Sequence, residues 1–243
     1  MKHILSFLMA FAVAAGMTGC GDGESTTPTP DPDPTPDPDP TPSTETYSIG
    51  DYYAKGFIKG IVFQVDETGE HGYVLSLDEE STVWSYKNED TMSGIPSSDG
   101  QVNCRRIQAM EGWTENYPGF AWADNKNVMG LENWYIPSGR ELTEIFRAYT
   151  GREPDNTGEE GTLSSLAATS EAPTDETEHK AWFNACITAQ GGTPLSDDLY
   201  WTSGEMGPAI AYPFDMRTGN YAIDSTTDTY KNQTHRFRAI SKF

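Results

Sequence analysis

Ser138, Arg140 and Glu141 place a hydroxyl, a guanidinium and a carboxylate within one short run, where a catalytic site would first be sought. They follow a short apolar stretch, Trp134 to Ile136, which stops at a proline. A serine followed three positions later by a glutamate is also a capping box, in which both side chains bond free N–H groups at a helix start. The run therefore predicts the start of a helix, and Ser138 is not interpreted as a nucleophile.

No other pattern in the sequence supports a reaction. A serine hydrolase would need a Gly-x-Ser-x-Gly turn with histidine and aspartate partners, and the sequence lacks that turn. The four histidines are scattered, and no cluster of cysteine and histidine has the spacing of metal ligands. We therefore expect no catalytic residue, no metal and no cofactor, and we interpret the protein as a non-enzyme.

Cys20 is the predicted site of covalent modification. A positive start is followed by an apolar run from Ile4 to Ala15, and Met17 to Cys20 forms a lipobox. The apolar run is too short to span a bilayer and is typical of a secretory signal peptide. Residues 1–19 are thus predicted to be removed, and lipidated Cys20 would anchor the protein to a membrane. The alternative is an ordinary signal peptide in which Cys20 is incidental.

Residues 20–46 are predicted to be a tether. Thr27 to Pro42 alternates proline with threonine or aspartate, a composition that cannot bury a core and favours extended polyproline II structure. At about 3.1 Å per residue this run spans roughly 50 Å. Gly21 rather than an aspartate follows Cys20, and acidic residues lie just beyond it. These features favour an outer-membrane lipoprotein that is exposed at the cell surface.

The region from Tyr47 to Phe243 contains all six tryptophans and is predicted to fold as one domain. The net charge of −21 argues against nucleic acid as a partner and against direct binding to anionic lipid headgroups. Two cysteines lie in this domain. In an oxidising compartment Cys104 and Cys186 could form a disulfide. Each could equally be a small buried apolar residue of a predicted helix, so both possibilities stay open.

The first part of the domain alternates strand and helix signals. Gly60 to Val65 and Tyr73 to Leu77 are β-branched or aromatic runs on either side of a turn, so they predict a β-hairpin. Asp99 and the two serines before it can cap a helix from Gly100 to Met110. The aromatic region from Trp113 to Gly130 is expected to be an irregular loop packed over the core.

The second part begins with the helix that the capping box opens, and Gly151 is a good terminator for that helix. Residues 152–194 are predicted to be a partly helical insertion. Within it a helix capped by Asp175 runs to Gln190, with its apolar face formed by Trp182, Cys186 and Ala189.

The last part is predicted to be β-structure, which makes the fold class α+β. Strands are expected at 199–203, 210–216, 220–223 and 235–240. Arg217-Thr218-Gly219, between the second and third of them, has the chemistry of a hairpin turn. Alternation in the last of these would bury Phe237 and Ala239 and would turn Arg236 and Arg238 outward.

The order of these motifs resembles the Lcl-type domain, a family first named from the C-terminal domain of a bacterial collagen-like adhesin. The matching motifs are Trp-x-Ile-Pro-Ser-x-x-Glu-Leu at 134–142, Tyr-Trp-Thr-Ser at 200–203 and Arg-x-Arg-Ala-Ile at 236–240. Family members typically have Trp-Arg-Leu-Pro-Thr-x-x-Glu-Leu, Tyr-Trp-Ser-Ser and a Val-Arg-x-Val-Arg ending. The resemblance covers most of Gly60 to Phe243 apart from the insertion, and Tyr135 stands where the family usually has arginine.

This family is similar to the C-type lectin-like fold. The resemblance therefore implies a twisted antiparallel sheet flanked by two main helices, with the first and last strands close together. In such folds the loops between the late strands form the binding surface, which here means Gly204 to Thr234. Their residue types suit adaptable binding faces, although they could equally be ordinary exposed loop residues. The candidate ligand-binding residues are Tyr212, Asp215, Arg217, Asn220, Tyr221, Asp224, Tyr230, Lys231 and Asn232.

Together these expectations describe a membrane-anchored surface lipoprotein. Its lectin-like domain would bind an extracellular glycan or protein, in adhesion or recognition. The alternative is a structural or accessory subunit of a surface fibre or assembly that has no small-molecule ligand.

Overall fold

A computed structural model of the protein describes five stretches of the chain. They are residues 45–93, 99–131, 133–154, 172–223 and 227–243. The predicted signal peptide, Cys20, nearly all of the tether and Asp224 lie outside these residues. In the stretches that are described, no helix is both long and apolar enough to cross a membrane.

The first sheet brings the two ends of the domain together. Its strands lie in the order β1 (Tyr52–Lys55), β2 (Ile58–Val65), β3 (Gly72–Ser76) and β9 (Ile240–Lys242), and all neighbours are antiparallel. The predicted hairpin is confirmed as β2 and β3, and the Asp66 carboxylate closes its turn by accepting from the N–H groups of Thr68 and Gly69. β9 pairs with β3 and not with β1, so the first and last strands share this sheet but form its two opposite edges.

The second sheet carries the late strands. Its order is β4 (Glu80–Val83), β8 (Thr234–Phe237), β5 (Leu199–Gly207), β6 (Ile210–Asp215) and β7 (Asn220–Tyr221). The β5–β8 pair is parallel and the others are antiparallel. The turn between β6 and β7 was predicted and is confirmed. β1 and β4 were not predicted.

Five helices are present in the described residues, so the α+β class is confirmed. They are α1 (Gly100–Gln108), α2 (Trp113–Asn116), α3 (Pro118–Asp124), α4 (Gly139–Thr150) and α5 (Glu176–Ala189). The prediction of an irregular loop from Trp113 to Gly130 is wrong, since α2 and α3 lie there. α3 begins with Pro118, whose fixed φ suits the first position of a helix.

One buried carboxylate joins the starts of α1 and α4. Glu141 Oε2 accepts from the N–H of Gly100 at 3.0 Å and from both the N–H and the hydroxyl of Ser138 at 2.8 Å, and Oε1 accepts from the Tyr135 hydroxyl at 2.9 Å. The predicted capping box is thus confirmed. Gly100 is required here, because a Cβ at this position would lie 2.3 Å from the carbonyl oxygen of Ile136.

The predicted last strand is in fact two strands in different sheets. β8 ends at Phe237 and β9 begins at Ile240, so the chain passes from the second sheet to the first between them. Arg238 lies at this crossing and is buried, which corrects the prediction that it faces outward. Its guanidinium donates to the carbonyl oxygens of Ser76, Leu77 and Asp78 at 3.0 to 3.1 Å. Backbone acceptors that only the folded chain supplies therefore hold the charge inside.

The helix capped by Asp175 is confirmed, but its predicted buried face is wrong. His179, Phe183 and Ile187 are buried, whereas Trp182 and Cys186 are half-buried and Ala189 is exposed. α5 packs against α4 and β2, and these neighbours select a face that lies beside the predicted one.

Cys104 and Cys186 are both free thiols, so the disulfide alternative is not realised. They pack on different partners. Cys104 is buried, and its sulfur accepts from the N–H of Ile136 at 3.3 Å. Cys186 lies on α5 beside Gly50. The interpretation as a small buried residue is correct for Cys104.

Replacement of Glu141 with glutamine is expected to lower the free energy of unfolding by about 1–3 kcal/mol, the cost of leaving buried donors unsatisfied. An amide offers one accepting atom where the carboxylate offers two, while four donors converge on this site. Urea unfolding of the two proteins measures the loss. Replacement of the exposed Glu67 with glutamine is the matched control and should change little.

The pH dependence supplies an independent check. Burial raises the pKa of Glu141 above its ordinary 4.5, against the hydrogen bonds from Ser138 and Tyr135, which lower it. A carboxyl group with a higher pKa in the folded state contributes less to stability as pH rises from about 4.5 through the folded-state pKa. The stability advantage of the wild type over Glu141→Gln should therefore shrink across that window. An advantage that grows with pH would contradict this account of Glu141.

Candidate binding surface

Most of the predicted ligand-binding residues lie in the described part of the chain, where they form two groups; Asp224 lies outside it. The hairpin group is on β6, β7 and the turn between them, and consists of Tyr212, Asp215, Arg217, Asn220 and Tyr221. The segment group is in the stretch 229–232, and consists of Tyr230, Lys231 and Asn232.

The turn of the hairpin organises the charged residues of its group. The N–H and Nε of Arg217 donate to Asp215 Oδ1 at 2.9 and 2.8 Å, and Nη2 donates to Oδ2 at 2.8 Å. The bonds to Asp215 raise the pKa of Arg217 above its ordinary value. Such a bidentate pair has a fixed geometry, so Arg217 is held in place while 62% of its side chain stays exposed.

Two tyrosines of the hairpin group pack side by side, with ring centroids 5.2 Å apart. Tyr212 is almost buried, while Tyr221 is 36% exposed. The Tyr221 ring lies against Gly139 at the start of α4, so closely that a Cβ on Gly139 would come within 1.9 Å of the phenol oxygen. Tyr221 is thus positioned by a helix, and Tyr212 supports it from below the surface.

The segment group contributes two exposed side chains. Tyr230 is 44% exposed and forms a β-bridge with Ile210. Asn232 is exposed as well, and its side-chain oxygen accepts from Gln233 at 3.4 Å. These residues agree with the predicted location at the protein surface, but no ligand contact of theirs is tested.

Lys231 was predicted to be a ligand contact on the surface, and this location is wrong. Its side chain is 0% exposed and forms a salt bridge with Glu205, whose side chain is 2% exposed. The amine also donates to the carbonyl oxygen of Glu89 at 2.9 Å and lies 4.5 Å from the ring centroid of Trp84. Lys231 is therefore an interior residue, because its side chain points away from the surface and contacts buried groups beneath the late loops.

Glu205 connects three segments that are far apart in sequence. Its Oε1 accepts from the N–H of Thr91 at 2.6 Å and from the Thr91 hydroxyl at 2.8 Å, while Oε2 contacts Lys231. The N–H of Glu205 donates to the carbonyl oxygen of Ser93 at 3.1 Å. Neither Glu205 nor Thr91 was predicted as a site residue. The available signal was a single glutamate inside the run of apolar and small residues from Tyr200 to Gly207.

A shallow groove of about 190 Å³ lies beside the first sheet and contains none of the predicted residues. Its lining residues are Phe57, Lys59, Ser76, Leu77, Asp78, Lys126 and Trp134. Lys126 pairs with Asp78 and stacks on Trp122, with 4.2 Å from its amine to the ring centroid. The charges of this groove are thus largely engaged with each other.

Across the five described stretches, no group of three or more His, Cys, Asp or Glu side chains is arranged to hold a metal ion. The absence of a metal, a cofactor and a catalytic residue stays a prediction from the sequence.

Replacement of Lys231 with methionine should lower the free energy of unfolding by about 3–5 kcal/mol, because it leaves the Glu205 carboxylate buried without its cation. The double variant Lys231→Met/Glu205→Leu should lose less than Lys231→Met alone, since it removes that unpaired charge. Denaturant unfolding measures both. Lys55→Met is the control, because Lys55 pairs with Glu45 on the surface, and little change is expected there. A double variant that loses as much stability as Lys231→Met, or more, would contradict the coupling.

Comparison with known proteins gives no family. No family model and no curated protein match the sequence. A solved structure of a fimbrial protein from Bacteroides ovatus is similar, with a TM-score of 0.46 and 15% sequence identity. The match covers 71% of this chain and 36% of that one, so the chain spans about a third of the length of that protein. A likeness of this degree assigns neither a family nor a function.

Proposed function

We propose that the protein is a lipid-anchored surface lipoprotein of the outer membrane whose Lcl-type, C-type lectin-like domain binds an extracellular glycan or protein. Binding is non-catalytic and uses the exposed residues of the hairpin and segment groups. The observation that carries the proposal concerns β6. The hairpin group lies on β6 and on the strand paired with it, and the segment group, from a later part of the chain, is hydrogen-bonded to the same strand.

The hydrogen bonds along β6 support this shared surface. At its start the N–H of Ala211 donates to the carbonyl oxygen of Thr229 at 2.9 Å. Towards its end the carbonyl oxygen of Pro213 accepts from the N–H of Ala222 at 2.8 Å. Binding residues that are held by a regular strand lose little conformational freedom when a ligand binds, which favours affinity.

The first described residues of the domain are fixed to its last residue, which fits a domain that continues from a tether. Tyr47 packs on Phe243 with ring centroids 5.4 Å apart, and its N–H donates to the carbonyl oxygen of Gly69 at 2.8 Å. From Lys231 to Phe243 the chain runs mainly as β8 and β9. The first residues of the domain therefore pack beside the end of the chain, whereas the segment group precedes β8.

The ring contact between Tyr53 on β1 and Phe243 beside β9, with centroids 4.5 Å apart, supports the lectin-like assignment, because that fold places its first and last strands close together. The helices α1 and α4, which start at the shared Glu141, would be its two main helices. The stretch 152–194 includes α5, which belongs to the core through Phe183 and Ile187.

A binding screen tests the proposal. The purified protein is applied to arrays of glycans and of extracellular proteins, and hits are measured again with Tyr230→Ala and Arg217→Ala. We expect a ligand whose affinity falls by about tenfold or more in at least one variant, as for an anchor residue at an interface. Tyr52→Ala is the matched control, because Tyr52 is an exposed tyrosine on β1 of the other sheet.

Two results would count against the proposal. One is the absence of any ligand on both kinds of array. The other is a ligand whose affinity falls only with Tyr52→Ala. If the wild-type protein bound nothing on the arrays but co-purified with a fibre subunit, the structural alternative would be favoured.

A further inference from the structure

The buried pair Lys231 and Glu205 has an arrangement that an ordinary ion pair does not require. Both side chains are almost completely removed from solvent. A buried ion pair is weak support for stability, because apolar side chains of similar size often do as well or better. The placement of a primary amine against a carboxyl group in a buried site is, however, what amide formation needs.

The two oxygens of Glu205 are held differently. Oε1 accepts from the N–H and the hydroxyl of Thr91 at 2.6 and 2.8 Å, so two donors already point at the atom that would carry charge in a tetrahedral intermediate. Oε2 has no such pair of donors from Thr91 and contacts the Lys231 amine. Oε2 is therefore the oxygen that is placed to receive the amine's proton and leave.

We propose that Lys231 and Glu205 react with each other to form an intramolecular isopeptide bond that links β5 to the segment 229–231. The amine nitrogen of Lys231 attacks the carboxyl carbon of Glu205, while the developing charge on Oε1 is stabilised by Thr91. One proton of the lysine ammonium passes to Oε2 and leaves a neutral amine, and a second follows as the C–N bond forms. The bond from carbon to Oε2 then breaks, one water molecule leaves, and one N–H remains on the amide nitrogen. One C–N bond replaces one C–O bond, so no oxidant, cofactor or further substrate is needed.

The surroundings of Lys231 favour its neutral, nucleophilic form. Burial lowers the pKa of the amine from its ordinary 10.5, against the effect of Glu205, which raises it. The Trp84 ring covers the amine, and the Tyr117 ring packs on Trp84 at 5.7 Å between centroids. A desolvated lysine held against its electrophile reacts as if both groups were highly concentrated.

The isopeptide bond would stabilise the region around β6, which carries the proposed binding surface. The proposal of this bond does not depend on the proposed binding function. Glu205 pairs with Ala211 on β6, and the N–H of Lys231 donates to the carbonyl oxygen of Ala209 at 3.0 Å. A covalent link between residues 205 and 231 would close a loop that contains all of β6 and β7. A covalent bond, and not only hydrogen bonds, would then resist mechanical unfolding of this part of the domain.

Mass spectrometry tests the proposal on the purified protein. Cyanogen bromide cleaves after methionine, and cleavage at Met129, Met206 and Met216 places Glu205 in fragment 130–206 and Lys231 in fragment 217–243. We expect these two fragments to remain joined under denaturing conditions, with a mass one water below their sum. The joined product lacks residues 207–216, so it differs from any incompletely cleaved piece of continuous chain.

Lys231→Arg is the matched control, because it keeps the positive charge but lacks the amine. The two fragments of this variant should separate, and neither should show the loss of a water molecule. The wild-type result decides the proposal whether or not this variant folds. Separate wild-type fragments at their full masses would overturn it, and would leave the binding function, which is tested on the arrays, untouched.

Discussion

The Glu141 carboxylate is the constraint on which much of this architecture depends. A buried carboxylate is costly unless hydrogen bonds satisfy it, and this one is satisfied only where the N-termini of α1 and α4 meet. The position of α4 follows from that junction, and α4 packs against both sheets through β2, β5 and β6. Its first residue, Gly139, in turn supports Tyr221. The proposed binding surface is therefore linked to a hydrogen-bonded junction in the interior.

Two buried basic side chains, Lys231 and Arg238, connect distant parts of the C-terminal region. Lys231 lies beneath the late loops with Glu205, and Arg238 lies where the chain crosses from one sheet to the other. Lys231 contacts the carbonyl oxygen of Glu89 and the Glu205 carboxyl group. Arg238 donates to several backbone carbonyl oxygens and lies 3.8 Å from the Glu79 carboxylate, although its buried Nε has no partner among the described residues. Because their partners come from distant segments, these two side chains specify how the sheets and loops fit together.

Features with local causes could be predicted from the sequence. The capping box at Ser138, the cap at Asp175 and the turn at Gly219 depend on residues a few positions apart, and each is present in the structure. The buried face of α5 could not be predicted in this way. Its face depends on contacts with α4 and β2, and those contacts select Phe183 in preference to Trp182. α2 and α3 were missed because glycine, proline and aromatic residues obscure a helical pattern in such short helices.

The sequence by itself determined the α+β class, the hairpin of β2 and β3 and the starts of α4 and α5, and it alone supports the predictions of a lipid anchor and a tether. Only the tertiary structure decided which polar residues of the late loops face solvent. Arg217 and Tyr230 face solvent, whereas Lys231, the residue after Tyr230, is buried. The physical reason is that burial of a polar, chargeable group depends on a partner, and the partner of Lys231 is 26 positions away on β5.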